Sequence, residues 1–174
     1  MDARRVLTQA HVAAGAIIER EGKILLVREY APDHPDHAKW HIPCGWVELG
    51  EDPFECVVKE VREEAGYAFT PKHILGVYSM VRKELEGAFE NTGGYRQKEG
   101  YPHGFRIVFL GEIQGDQGAF LENEISETRW FKPEEIEAMD DATLRDRDVK
   151  KMVKDYFDGK KYPLELLTHT VRDY

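Results

Sequence analysis

The chain has 174 residues, 41% hydrophobic and 33% charged, with a formal net charge of −9. That length predicts one domain over 1–174, and the balance predicts a packed fold rather than a disordered or fibrous chain. Lys and Arg number 24 against 33 Asp and Glu, with no basic stripe, so no nucleic-acid polymer is expected as a partner. No apolar run approaches the length that spans a bilayer. The polar start, residues 1–9 with Arg4 and Arg5, is not followed by the apolar core of a secretory signal. Two cysteines, Cys44 and Cys56, have neither disulfide-framework nor metal-site spacing. Together these features predict a reduced, cytoplasmic protein with no membrane association.

In chain order, Val12 to Ile18 is apolar, residues 19–22 form a polar turn, and Ile24 to Val27 is apolar again, which predicts a hairpin. Residues 31–39, with Pro32 and Pro35, read as a loop, and Trp40 to Pro43 as a short extended piece leading to Gly45. The clearest helix follows. Glu51 or Asp52 can cap it, Pro53 suits its first turn, and Phe54, Val57, Val58, Val61 and Ala65 repeat at helical spacing before Gly66 stops it. Ile74 to Val81 and Phe105 to Ile113 read as strands, Glu127 to Phe131 as a shorter one. Between the first two lies a long polar, glycine-rich stretch, 82–104, of the kind that is often functional. Pro133 to Met139 and Arg145 to Phe157 read as helices, and 159–174 stays unassigned. This order predicts an α/β fold with a mixed sheet between helices.

Acid is concentrated in residues 45–67, which hold seven carboxylates: Glu48, Glu51, Asp52, Glu55, Glu60, Glu63 and Glu64. Composition alone would make this a solvated helix face. The spacing argues otherwise, because Glu60, Glu63 and Glu64 share one face opposite the valine stripe. Three carboxylates so close do not all stay ionised in a shielded site unless a cation joins them. Mg²⁺ suits that role, since it takes oxygen ligands and shares its shell with substrate phosphates.

From Gly45, five residues lead to Glu51 and seven more to Lys59, then Glu60-Val61-Arg62-Glu63-Glu64-Ala65-Gly66-Tyr67. This resembles the Nudix box, G-x5-E-x7-R-E-U-x-E-E-x-G-U with U a bulky apolar residue, over 23 residues. It departs at one charged position, where Lys59 stands for arginine. The resemblance implies a Nudix-type α/β/α sandwich with a mixed central sheet and a divalent-metal-dependent pyrophosphohydrolase. It would cleave the diphosphate linkage of a nucleoside diphosphate derivative or a related small phosphorylated metabolite. The cofactor implied is Mg²⁺, with Mn²⁺ as a substitute. Glu60 and Glu64 would be the main ligands, Glu63 a further ligand or the base, and the Cys44 backbone carbonyl another donor. Glu51 and Lys59 would support them, although lysine lacks the planar fork of arginine. Many members add a carboxylate from a later loop; Glu124 is the first candidate, ahead of Glu122 and Glu127, all three being readable as surface acid. A catalytically silent Nudix-fold module that binds a nucleotide or nucleotide-sugar ligand is the alternative, which the intact box carboxylates disfavour.

The substrate is not specified by these motifs, since the signatures of the coenzyme A, ADP-ribose, dinucleoside polyphosphate and NADH types are missing. Arg82 and Tyr101 in the long loop, and Arg28 at a strand end, are candidates for substrate binding, against readings as ordinary surface residues. The loop or the tail could also build a homodimer contact. His34 and His37 read as solvated, His103 as a minor candidate base. Cys44 reads as a small buried residue and Trp46 as packing.

Overall fold

The computed structural model describes residues 11–81 and 103–171. Two four-stranded sheets form its frame. In the first, β5 (Cys44–Trp46), β1 (His11–Ile17), β7 (His103–Gln114) and β6 (Ala68–Val81) lie side by side in that order. β1 runs parallel to β7, and the other pairings are antiparallel, so the sheet is mixed. In the second, β3 (Lys23–Glu29) pairs with β2 (Glu19–Arg20), β4 (Trp40–His41) and β8 (Ile125–Phe131). The expected hairpin between Val12–Ile18 and Ile24–Val27 is therefore corrected. The polar turn joins β2 to β3, while β1 belongs to the other sheet.

Alternation along β1 explains the layers. Ala14 and Ala16 join the core beneath helix α1 (Pro53–Ala65) together with Val57, Val61 and Phe109. Ile17 joins the opposite core with Val108, Leu110, and Met152 and Val153 of helix α3 (Asp148–Phe157). The sheet is thus covered by α1 on one face and α3 on the other, the mixed α/β sandwich the sequence predicted. A short helix α2 (Pro133–Glu137) precedes α3. Residues 159–171, which the sequence left unassigned, include a 3-10 turn at Leu164–Leu166; Tyr162 bridges to Ile74 of β6, and Leu164 and Leu167 pack on the core beneath α1.

Helix α1 begins where the cap residues predicted. Asp52 accepts a hydrogen bond from the Phe54 amide at 2.9 Å, and Pro53 fills the first turn. One face member differs, since Val58 is 36% exposed and Cys56 is buried instead. Gly66 ends the helix at φ 72°, and a Cβ there would run into the Gly118 carbonyl. Gly66→Ala combines left-handed strain with that clash, so we expect a loss of roughly 3 kcal/mol in chemical denaturation. An unchanged midpoint would contradict this packing.

Asp155 of α3 ties α3 to β6. It is buried and accepts from Tyr78 Oη at 3.1 Å, from Lys160 Nζ at 2.6 Å, and from Lys151 Nζ. Burial pushes its carboxyl up, but the lysines and Tyr78 outweigh that and hold it down at about 2. A depressed folded-state value means the stabilisation is present above the unfolded carboxylate range and is lost as pH falls through 2. Asp155→Asn should therefore cost about 2 kcal/mol at neutral pH. Melting curves of both proteins should converge as the pH is lowered toward 2. A gap that persists there would show that charge is not the cause.

Candidate active site

A cleft of about 390 Å³ opens between the end of the mixed sheet, the carboxylate side of α1, and residues 145–146. Its α1 wall carries Glu60 and Glu64, with Lys59 at the edge. Glu64 is only 8% exposed, and its Oε2 accepts the Cys44 amide hydrogen at 2.7 Å, which fastens α1 to β5. Glu60 lies directly against Gly45, where any Cβ would occupy the space of its carboxylate. Glycine at this position leaves that volume to the carboxylate. This face of α1 is not the solvated face that composition alone would suggest.

Burial pushes the Glu64 carboxyl well up from its usual range, and the neighbouring Glu60 adds to the rise. Glu60 is also raised, by burial first and then by Glu63, Glu124 and Glu51, with Lys59 opposing. Lys59 Nζ bonds Glu51 Oε1 at 2.7 Å and stands 3.7 Å from Glu60 Oε1. Glu51 in turn accepts from the Glu48 amide at 2.9 Å. Burial would raise Glu51, but the Lys59 hydrogen bond outweighs it and leaves the carboxyl lowered. Lysine at the arginine position therefore still bridges two box carboxylates, through a single nitrogen rather than a fork.

Among the described residues, no three His, Cys, Asp or Glu side chains already converge as a closed cation cage. Even so, the donor set facing the cleft (Glu60, Glu64, Glu48 and Glu124) consists of hard oxygens with two buried carboxyls pushed toward protonation. That chemistry fits a hard divalent cation, which takes oxygen ligands and keeps several waters.

Glu124 lines the cleft on a loop joined to α1 by the Leu121 amide on the Glu63 carbonyl at 2.7 Å, and its own carbonyl accepts the Tyr30 amide at 2.6 Å. Glu122 and Glu127 do not line it; Glu127 pairs with Arg28 at 3.5 Å. Glu63 borders a neighbouring depression with Phe54, Val58 and Leu164, close enough for its charge to act on Glu60. Arg28 is directed to the Ala38 carbonyl and Glu127, and its neighbour Glu29 lines the cleft instead. Arg82 and Tyr101 lie outside the described residues. Cys44 lines the cleft, and burial pushes its thiol up to about 11, so it has no thiolate character near neutral pH.

Several cleft residues were not anticipated from the sequence. Arg106, on β7, is 7% exposed and donates to Asp146 at 2.8 Å and to Asp148 at 3.3 Å. Arg145 donates from Nη1 to Glu29 at 2.7 Å, and its Nε lies 3.6 Å from Asp36. The backbone around Arg145 is clamped to β4, with the Trp40 amide on the Thr143 carbonyl and the Arg145 amide on the Trp40 carbonyl. Helix α3 begins at Asp148 rather than Arg145, which leaves Arg145 and Asp146 free to line the cleft. His41 is buried; its Nδ1 lies 2.8 Å from the Ile42 carbonyl, which can only accept, so Nδ1 carries a proton. Its Nε2 faces Glu29 Oε2 at 3.1 Å. A lone arginine inside the apolar run Phe105 to Leu110 was the one sequence signal that could have exposed part of this group.

The fold and this carboxylate-lined cleft define the class. The family profile described as NUDIX domain matches residues 9–153, and the chain belongs to the Nudix hydrolases. Among curated relatives, an ADP-ribose pyrophosphatase of Methanocaldococcus jannaschii is 32% identical over 113 residues, 65% of this chain and 57% of that protein. The phosphatase NudJ of Escherichia coli is 26% identical over 157 residues, 90% of each chain. Among solved structures, a NUDIX hydrolase from Nitrosomonas europaea is similar at a TM-score of 0.76 and 28% identity, covering 93% of this chain and 98% of that one. Among the described residues, no helix is long and apolar enough to cross a membrane.

Proposed function

We propose that this chain hydrolyses the diphosphate linkage of a small molecule in a reaction that depends on a divalent cation, Mg²⁺ or Mn²⁺. Nucleoside diphosphate derivatives are the first substrate class to test. The observation that carries the reading is the placement of Glu60 and Glu64. Both are carboxyls raised by burial, facing one cleft, one seated on a glycine and the other fixed to a backbone amide. A cation held by them would neutralise the diphosphate oxygens and stabilise charge at the attacked phosphorus.

The chain's own groups supply the rest. Glu60 and Glu64 would hold the cation, with the Cys44 carbonyl as a further donor. Glu124, which lines the same cleft, would accept the proton of the attacking water. Glu63 acts on the site through its charge on Glu60. Lys59 and Glu51 hold the Glu60 side of the helix in position. Arg145, paired with Glu29, and Arg106, paired with Asp146 and Asp148, offset part of the carboxylate charge of a cleft that must admit an anion. The ADP-ribose pyrophosphatase relative makes ADP-ribose a reasonable first substrate.

The test is a turnover screen by mass spectrometry. ADP-ribose, nucleotide sugars, nucleoside di- and triphosphates and small diphosphate metabolites would be offered to metal-free protein, and again with Mg²⁺ or Mn²⁺. Cleavage of one class only when metal is present is expected. Cleavage unaffected by chelation would overturn the metal dependence, and no cleavage alongside tight ligand binding would overturn the hydrolase reading.

A further inference from the structure

We infer that Arg145 is the side chain that takes hold of a substrate phosphate, an inference that rests on the diphosphate-hydrolase reading. Among the described residues, six carboxylates line the cleft against three cationic side chains, Lys59, Arg106 and Arg145. A phosphate meeting such a wall is repelled except where a cation still has a donor to offer. Two of the three cations are already paired. Lys59 Nζ lies 2.7 Å from Glu51 and 3.7 Å from Glu60. Arg106 gives Nη2 to Asp146 at 2.8 Å and Nη1 to Asp148 at 3.3 Å, and only 9% of its side chain is exposed.

Arg145 differs on both counts. Its side chain is 27% exposed. Nη1 donates to Glu29 Oε2 at 2.7 Å, and the buried Nε stands 3.6 Å from Asp36 Oδ2, beyond hydrogen-bond reach. Among the described residues, no group accepts from Nη2. A guanidinium carries its donors in one rigid plane, so pairing Nη1 with Glu29 also sets the direction of Nη2. The root of the side chain is fixed as well. Leu144 is buried at 2% and bridges Trp40, the Arg145 amide donates to the Trp40 carbonyl at 2.9 Å, and Asp146 is bound to Arg106. A fork held in this way loses little freedom when it binds, and a phosphate oxygen is the acceptor its geometry suits. Its charge reaches the α1 wall too. Burial pushes the Glu64 carboxyl up, and Arg145 opposes that rise. A cation at Glu64 and the guanidinium of Arg145 would therefore grip one diphosphate from two walls of the cleft.

Calorimetric titration with two non-hydrolysable probes tests this role. The probes are methylenediphosphonate and the α,β-methylene diphosphate of adenosine, each with Mg²⁺, and Mn²⁺ uptake without either probe is followed alongside. Arg145→Ala should bind both probes about tenfold or more weakly, the scale of a lost hydrogen bond to a charged group. Its Mn²⁺ affinity should not fall, because the residue meets the phosphate and not the metal. Arg145→Lys, which keeps the charge without the fork, should lie between Arg145→Ala and wild type. The inference is overturned if Arg145→Ala binds both probes as wild type does. It is equally overturned if Mn²⁺ affinity drops in step with probe affinity, since Arg145 would then support the metal site or the scaffold. Failure of wild type to bind either probe would instead defeat the diphosphate reading itself, and the role of Arg145 with it.

Discussion

Replacing Glu64 by glutamine should reduce turnover by about 10³-fold, the scale seen when a charge-stabilising group is removed from an active site. It should do so without unfolding the protein. Glutamine retains an oxygen to accept the Cys44 amide hydrogen that Glu64 accepts at 2.7 Å. It also removes a buried carboxyl whose value is pushed well up by burial. A raised carboxyl opposes folding in the metal-free protein once the pH exceeds the unfolded carboxylate range, because the folded state then binds more protons than the unfolded one. The penalty grows until the pH passes the raised value. Metal-free Glu64→Gln should therefore melt at or above the wild-type temperature near neutral pH and show less pH dependence above pH 5 or so. Steady-state kinetics and thermal melts on the same preparation separate the two effects. Full activity in the variant would remove Glu64 from the site, and a large drop in melting temperature would assign it to the scaffold instead.

Gly45→Ala is expected to be the most damaging change that alters no charge. The new methyl group would fall on the Glu60 carboxylate. Either Glu60 swings out of the cleft or β5 moves away from α1, and Glu64 is fixed to the amide of the residue just before Gly45. Both responses shift ligands by an ångström or so, a displacement that can cost about 10²-fold in rate. The atoms met are the end of a flexible side chain, so swinging Glu60 aside costs little stability and the loss falls on the site. Metal affinity should fall with the rate, since the displaced group is a proposed ligand rather than a substrate contact. An alanine variant with wild-type rate and metal affinity would show that Glu60 does not need the seat Gly45 provides.

The parts of this molecule that were legible in the sequence are those set by local rules. Helix α1 could be placed because its cap, first-turn proline, apolar repeat and terminal glycine all act within a few residues of each other. The same spacing assembled Glu60 and Glu64, and the box pattern extended this to Glu51 and Lys59. Pairing between distant segments was not legible. The polar turn at 19–22 reads as the centre of a hairpin, but nothing local says that β1 leaves that hairpin to pair with β5 and with β7, far along the chain. For the same reason nothing local announced that Arg106 would come to lie beside Ala13, since the two belong to strands far apart in the chain. Arg145 was concealed by a boundary. The apolar repeat of α3 could be extended back to it, whereas the segment around it is held by backbone pairing to Trp40. Arg28 and Glu29 could not be told apart locally, because an irregularity in the pairing of β3 with β8 falls between them and sends Glu29 to the cleft while Arg28 meets Glu127.

Manganese binding, read by electron paramagnetic resonance on metal-stripped protein, tests most directly whether Glu60 and Glu64 hold a cation. Wild type should take up Mn²⁺, and Mg²⁺ should displace it. The double variant Glu60→Gln with Glu64→Gln should lose that uptake while retaining the wild-type circular dichroism spectrum. Undiminished Mn²⁺ binding in the folded double variant would contradict the assignment of this cleft as the metal-dependent centre.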